Sequence, residues 1–358
     1  MPSQRRTFES RIDYSLLLPV LLLLSIGVTA IYIAVSHDYP NNVLQIVGQQ
    51  VVWILLGFLI SFIVMFFNTK FLWKMTPFLY LLGLGLMVLP LVFYSESLVA
   101  STGAKNWVSI RGVTLFQPSE FMKISYILML SRVVVKFLQQ NKNYERTIAL
   151  DLFLIVKLAL YTLPVLFLLA LQSDLGTALV FAAIYCGIVL LSGVSWKIIL
   201  PVFLTVSLLF TVFMLIFISN GGRAFLHGLG MPTYQINRIS AWLHPFEYAQ
   251  TITYQQAQGQ IAIGSGGLLG QGFNVSNLLV PVRESDMIFT VIAEDFGFLG
   301  SSLVIVIYLV LIYRMLQITI KSNNQFYTYI STGLIMMLLF HIFENIGAVT
   351  GILPLTGI

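Results

Sequence analysis

Charge is scarce in this 358-residue chain: Asp, Glu, Lys and Arg make up 9% of it, against about 25% in ordinary soluble domains. Hydrophobic residues reach 58% and the mean hydropathy is +0.90, so there is too little polar surface to clothe a water-soluble fold. The single cysteine, Cys186, excludes an internal disulfide and a paired-thiol redox motif. No His/Cys cluster has the spacing of a zinc site. There is no G-x-S-x-G nucleophile and no G-K-[ST] phosphate loop, and nothing points to an organic cofactor. The net charge of +5 needs no nucleic acid to explain it, because basic loops are what membrane topology requires.

What is present is a series of long apolar runs. A span needs about 20 apolar residues, and roughly nine runs qualify: 14–35, 50–67, 75–94, 119–138, 151–172, 175–193, 197–219, 287–313 and 325–349. The first is too long for the roughly 7–15-residue core of a cleaved signal, so it reads as a signal anchor and first span. The expectation is an all-α polytopic membrane protein in which every element is helical, because lipid offers an open chain no alternative. Arg5, Arg6, Arg11, Lys70, Lys74, Lys136, Lys142, Arg146, Lys197, Arg314 and Lys321 then fall on one side, which places the N-terminus in the cytoplasm. Two external segments are long, 95–118 and above all 220–286, between the seventh and eighth spans. Loops of that length are usually functional. The whole of 1–358 is expected to form one transmembrane domain with 220–286 as a large extracellular loop inside it.

The polar residues that interrupt this pattern are the candidates for chemistry. "YQQAQGQIAIGSGGLLGQGF" (254–273) is glycine-rich, with Ser265 and Gly266 at its centre. Such a loop can cradle an anion through backbone N–H groups, or it can be a tight or re-entrant turn that needs positive φ and close backbone approach. In "QPSEFMK" (117–123), Pro118 suits a first helical turn, and Glu120 and Lys123 share a helix face. They are expected to form an internal ion pair, either fixing helix packing or shaping a polar cavity. Asp174, with Thr177 three residues on, suits an N-cap as well as it suits ligand contact. Lys105, Trp107 and Arg111 lie in the first long external segment, where interface anchoring competes with anion or sugar contact.

Asp286 stands at the start of the eighth span, where it could cap the helix. Glu294 follows eight residues on, about 12 Å deeper at 1.5 Å per residue. A carboxylate there costs about 2.5–3.5 kcal/mol even on forgiving insertion scales, so it must face a polar interior. Asp286 then sits at the external mouth of that interior. A carboxylate with basic residues around it suits proton abstraction from a hydroxyl beside an anionic leaving group.

The motifs "GAKNWVSIRGVTLFQPSEFMK", "QSDLGTAL", "NRISAWLHPF", "QQAQGQIAIGSGGLLGQGF", "VPVRESDMIFTVIAEDFGFLG" and "NIGAVTGILPLTG" occur in that order. Together they resemble the SEDS family of bacterial cell-wall proteins (shape, elongation, division and sporulation) over nearly the whole chain. The stretch "NVSNLLVPVRESDMIF" is more similar to the elongation member than to the division paralogue. The resemblance implies a ten-helix bundle, of which about nine helices are present and the tenth would follow Ile358. It implies a peptidoglycan glycosyltransferase that polymerises lipid II at the outer face of the bacterial cytoplasmic membrane. It places the family's essential aspartate on Asp286 and its substrate-contacting positions on Trp107, Glu120, Lys123, Asp174 and Arg238. Two departures stand out: Gln49 precedes Gln50 where the family has a basic residue, and the usual Glu-Glu appears as Glu294-Asp295.

The mechanism implied has Asp286 as general base on the acceptor sugar's 4-hydroxyl, which attacks C1 of the donor with inversion and releases undecaprenyl pyrophosphate. Lys105, Arg111 and Arg238 would meet the departing pyrophosphate, and a divalent cation, magnesium or manganese, could share that task, with Asp286 as its alternative ligand. The implied partners are lipid II, the nascent glycan strand, membrane lipid and a class B penicillin-binding protein. The rival is a lipid II flippase, whose polar groups should lie at the midplane of a repeated architecture. Here they crowd the external side, and no internal repeat is evident.

Overall fold

The computed structural model describes residues 12–96, 98–99, 103–110, 113–247, 253–275 and 278–354. The basic residues Arg5, Arg6 and Arg11 lie outside them, as does the chain end. Among the described residues the helices are α1 (Tyr14–Asp38), α2 (Val43–Val64), α3 (Thr69–Val92), α4 (Pro118–Gln140), α5 (Ile148–Leu171), α6 (Leu175–Leu191), α7 (Trp196–Ile218), α8 (Gly222–Gly228), α9 (Thr233–Leu243), α10 (Tyr254–Ser265), α11 (Ile288–Ser322) and α12 (Gln325–Val349). Each apolar run expected from the sequence falls on one of these. Seven (α1, α2, α3, α5, α7, α11 and α12) are long and apolar enough to cross a membrane. The 17-residue α6 is shorter, and α4 carries Glu120, Lys123, Arg132 and Lys136 but is buried over most of its length.

Two expectations need correction. The chain is not wholly helical: β1 (Val108–Ile110) and β2 (Val113–Phe116) pair antiparallel, with Val108 opposite Phe116 and Ile110 opposite Val113. This hairpin lies between helices, where the lipid constraint does not apply, and its Val, Ile, Thr and Phe residues favour strands. Nor is 220–286 one long loop, because α8, α9 and α10 lie within it.

The helices are apolar on all sides where they bury nothing in the protein. No residue of α2 is buried, and on α7 only Phe217 is. Such all-round apolarity suits a lipid-facing helix. Hydroxyls on these helices bond their own turn: Thr205 and Thr211 on α7 donate to the carbonyls of Pro201 and Ser207, and Thr29 on α1 donates to that of Ser25.

The chain divides into two compact units. One comprises Met1–Leu72, His244–Ser322 and Ile342–Leu355; the other comprises Trp73–Leu243, Asn323–His341 and Thr356–Ile358. In the first, α1 packs along α11 through Ala30, Ile33 and Ala34 against Val291, Ile292 and Val304. There α10 also lies on α11, with Ala262, Val280, Met287 and Val349 in a shared cluster. In the second, α4, α5 and α6 pack together. Among its buried polar groups, Tyr126 pairs with Thr162 at 2.8 Å and Gln172 Nε2 with the Met87 carbonyl at 2.6 Å.

The eighth span is not continuous. At Gly297 the backbone turns to φ 63°, ψ −159°, a region open essentially to glycine alone. An unbroken helix would bond the N–H groups of 298 and 299 to the carbonyls of 294 and 295. The glycine-rich segment takes over all four groups. The Gln271 and Gly272 N–H groups donate to the Glu294 and Asp295 carbonyls at 2.9 and 3.2 Å, and the Phe298 and Leu299 N–H groups donate to the Gly267 and Leu268 carbonyls at 2.9 and 3.2 Å. A broken helix survives away from water only when protein satisfies the freed groups in this way. Close approach is the condition: a Cβ on Gly297 would overlap the Gly270 nitrogen and come within 2.8 Å of the Leu268 carbonyl. Gly297→Ala should therefore destabilise the protein by about 3 kcal/mol or more. Gly57→Ala, at an α2 position with nothing within 4 Å, should be neutral or stabilising by up to about 1 kcal/mol. Thermal melts of the two variants in detergent measure the contrast.

Candidate active site

Asp286 lies on a turn two residues before α11 and is half-buried. The turn is tight: the Ser285 and Met287 N–H groups both donate to the Val282 carbonyl at 3.3 Å. Val282 has φ 56°, an outlier for a β-branched residue, and costs about 1–3 kcal/mol. Its neighbour Arg283 holds the turn down. Arg283 is 1% exposed and its Nη2 is bonded to the carboxylate of Glu294, which is fully buried. Its Nη1 donates to the Leu278 carbonyl at 3.4 Å. From the other side, Asn345 Nδ2 of α12 donates to the Asp286 carbonyl at 3.2 Å. The carboxylate is thus carried on a backbone fixed at three points, which is what a positioned acid or base requires.

Glu294 avoids lipid, as its depth demands, and its partner is a specific buried guanidinium. Asp295 is also buried, and its Oδ2 accepts from the Asn274 N–H at 2.8 Å. Asn274 in turn ties to α1: Ser36 Oγ donates to its side-chain oxygen at 2.9 Å, and His37 Nε2 lies 3.2 Å from its carbonyl. Just past α1, the Glu284 carboxylate is the first cause of a raised Tyr39 phenol pKa, with burial and then Asp38 adding to it. Gly266 and Ser265 belong to the clasp around the helix break. A Cβ on Gly266 would overlap the Ala293 carbonyl, and Ser265 Oγ donates to the Ala262 carbonyl at 2.7 Å. Close backbone approach, one of the two roles open to the glycine-rich stretch, is what these contacts show.

In the second unit Asp174 caps α6 and organises the segment before α4. Its Oδ1 accepts from the Thr177 N–H at 3.0 Å, and its Oδ2 accepts from Thr177 Oγ1 at 2.9 Å, Asn106 Nδ2 at 2.8 Å and Gln117 Nε2 at 3.5 Å. The Lys105 N–H donates to the Gln172 carbonyl at 2.8 Å. Lys105 and Trp107, on either side of Asn106, are thereby placed: the Lys105 ammonium lies 4.6 Å from the Tyr94 ring centroid, and Trp107 is 42% exposed. Asp174→Ala should cost about 1–3 kcal/mol, from the lost cap and the orphaned Asn106 amide, read as a lower melting temperature. Arg111 lies outside the described residues. Arg238 is half-buried on α9.

Glu120 and Lys123 form the expected pair at 2.9 Å, with Lys123 buried and the Glu120 side chain 60% exposed. His341, unremarked in the sequence, completes it: Lys123 Nζ lies 3.1 Å from His341 Nε2. His341 Nδ1 lies 2.9 Å from the Met337 carbonyl, which can only accept, so Nδ1 carries the proton and Nε2 accepts from the ammonium. The candidate residues thus divide between the units, with Asp286, Glu294, Ser265 and Gly266 in the first and Lys105, Trp107, Glu120, Lys123, Asp174 and Arg238 in the second. Among the described residues no three His, Cys, Asp or Glu side chains come together as metal ligands.

A family model described as "Cell cycle protein", which spans FtsW, RodA and SpoVE, matches residues 14–358. The chain belongs to this family. Among its relatives in the Cell cycle protein family is the peptidoglycan glycosyltransferase MrdB of Escherichia coli K12, 30% identical over 99% of this chain and 89% of that one. Stage V sporulation protein E of Bacillus subtilis 168 is 26% identical over 97% and 89%. Among solved structures, a peptidoglycan synthase complex that coordinates polymerization and crosslinking contains a chain similar at TM-score 0.74 and 25% identity, covering 97% of this chain and 89% of that one. A mutant of the rod shape determining protein RodA of Thermus thermophilus matches at TM-score 0.62 and 25% identity, over 96% and 88%. The fold is a mostly helical, multi-pass membrane architecture of this family's type.

Proposed function

We propose that this protein is a peptidoglycan glycosyltransferase that polymerises lipid II into glycan strands at the outer face of the cytoplasmic membrane, with Asp286 as its general base. The observation that carries the assignment to Asp286 is its seat: a carboxylate on a turn clamped by the buried Arg283–Glu294 pair and by Asn345. A relationship to a peptidoglycan glycosyltransferase over 99% of this chain supports the reaction class.

Asp286 takes the proton from the 4-hydroxyl of the acceptor sugar as that oxygen bonds to C1 of the donor. The C1–oxygen bond to the lipid diphosphate breaks with inversion, and the diphosphate leaves with the electron pair. Lys105, Arg111 and Arg238 are proposed to meet its charge, with Trp107, Glu120, Lys123, Asp174, Ser265, Gly266 and Glu294 shaping the substrate region. The orientation proposed has the N-terminus in the cytoplasm, nine helices crossing the membrane, and the segment between α7 and α11 outside. A class B penicillin-binding protein is the proposed partner, crosslinking the strands made here.

Reconstitution in vesicles with lipid II tests the reading. Glycan polymer on the side that exposes Asp286 is expected. Translocated lipid II without polymer would instead mark a flippase.

A further inference from the structure

The first turn of α10 contains polar groups without a partner among the described residues. Thr253, the N-cap, makes no capping bond with its side chain; its Oγ1 is buried without a partner, and the residue is 1% exposed. Three positions on, Gln256 is 2% exposed, and neither its Nε2 nor its Oε1 has a partner. A buried carboxamide left unpaired carries the desolvation penalty of each group, and native structures rarely retain one without a role.

The packing register says what faces it. A Cβ on Gly259 would meet the Met287 methyl and Thr290, and one on Gly266 would meet Ala293 and Glu294. So α10 and the first part of α11 advance side by side in the same direction. One turn back from Gly259 is Gln256, and one turn back from Met287 and Thr290 is the turn bearing Asp286. Gln255 Nε2, donating to the Pro281 carbonyl at 3.2 Å, holds the near side of that register.

We propose that Gln256 and Thr253 form a subsite for the acetamido group of an amino sugar whose reacting carbon or hydroxyl lies at Asp286. The inference rests on the reading of Asp286 as the base of a glycosyl transfer. A carboxamide with both donor and acceptor unfilled is complementary to another amide: Gln256 Nε2 donates to the acetamido oxygen, and Gln256 Oε1 accepts from its N–H. The Thr253 hydroxyl adds a further bond to an oxygen. A hydroxyl at that sugar position can also donate and accept, but it lacks the planar pair of parallel bonds that an amide offers the carboxamide.

The test uses the full-length protein with its transpeptidase partner in vesicles, assayed on lipid II. Gln256→Leu removes the amide at nearly constant volume. The expected result is a KM raised about tenfold with kcat within about twofold, as for a lost substrate hydrogen bond, and a melting temperature no lower than wild type because the unpaired amide is gone. An unchanged KM with a higher melting temperature would identify an internal unpaired group and overturn the proposal. Thr253→Val should shift KM in the same direction and serves if the first variant folds poorly. With lipid II lacking the sugar N-acetyl group, wild type and Gln256→Leu should have equal KM. If that equality appears instead with lipid II lacking its stem peptide, the ligand is a peptide amide and the assignment falls. Asp286→Asn, run alongside, separates the two readings: full activity in it removes the base, whereas its inactivity with an unaltered KM in Gln256→Leu removes only this subsite.

Discussion

Arg283→Met should be the most damaging single substitution outside the chemistry itself. The guanidinium is 1% exposed and Glu294 is fully buried, so removing one partner leaves a carboxylate with its direct counter-charge gone. Breaking a buried pair in this way costs about 3–5 kcal/mol, whereas replacing both members by apolar residues of similar size is often neutral or stabilising by about 1–4 kcal/mol. The single variant is expected to melt far below wild type, and Arg283→Met/Glu294→Leu to recover most of the loss. Because Asp286 is three residues from Arg283 on the same turn, polymerisation should fall in the single variant along with stability. A single variant as stable as wild type would show that the pair is not what holds the turn.

Much of this could be read from the sequence, and the misses share a cause. The spans were legible because a run of about 20 apolar residues has one solution in lipid. The break at Gly297 was not, since hydropathy runs through it unchanged. Its cause is 25 residues or more away in sequence, in a segment whose carbonyls and N–H groups replace those of the helix. The glycines from Gly264 to Gly272 did announce close backbone approach, though without naming the surface approached. Asp286 and Glu294 stood out as charges in an apolar context, but the partner of Glu294 did not. Arg283 lies on the turn before the helix and Glu294 within it, so helical spacing gives no guide to their meeting. His341 and Asn345 carried a usable signal, polar residues four apart that, with Glu344, interrupt the apolar second half of α12. The hairpin at 108–116 was missed because the all-helical rule was extended beyond the membrane-spanning segments where it holds.

Asp286→Asn should abolish polymerisation while leaving the fold intact. The substitution keeps the side chain's size, and the contact that fixes this residue from α12 is made by its backbone carbonyl, accepting from Asn345, which an Asn side chain leaves in place. The buried Arg283–Glu294 pair is likewise untouched. What disappears is the ability to take a proton, and removing a positioned general base typically lowers the rate by about 10²–10⁴-fold. Asp286→Glu keeps the base but advances it by one methylene on a rigid turn, so it should recover only part of the activity. A scaffold role would make all three proteins alike.

The most direct measurement of the central claim is the yield of glycan polymer from wild type and Asp286→Asn, with lipid II binding measured in the same vesicles. The account predicts binding within about twofold of wild type and polymer reduced by about 10²-fold or more. Equal polymer from the two proteins would contradict it.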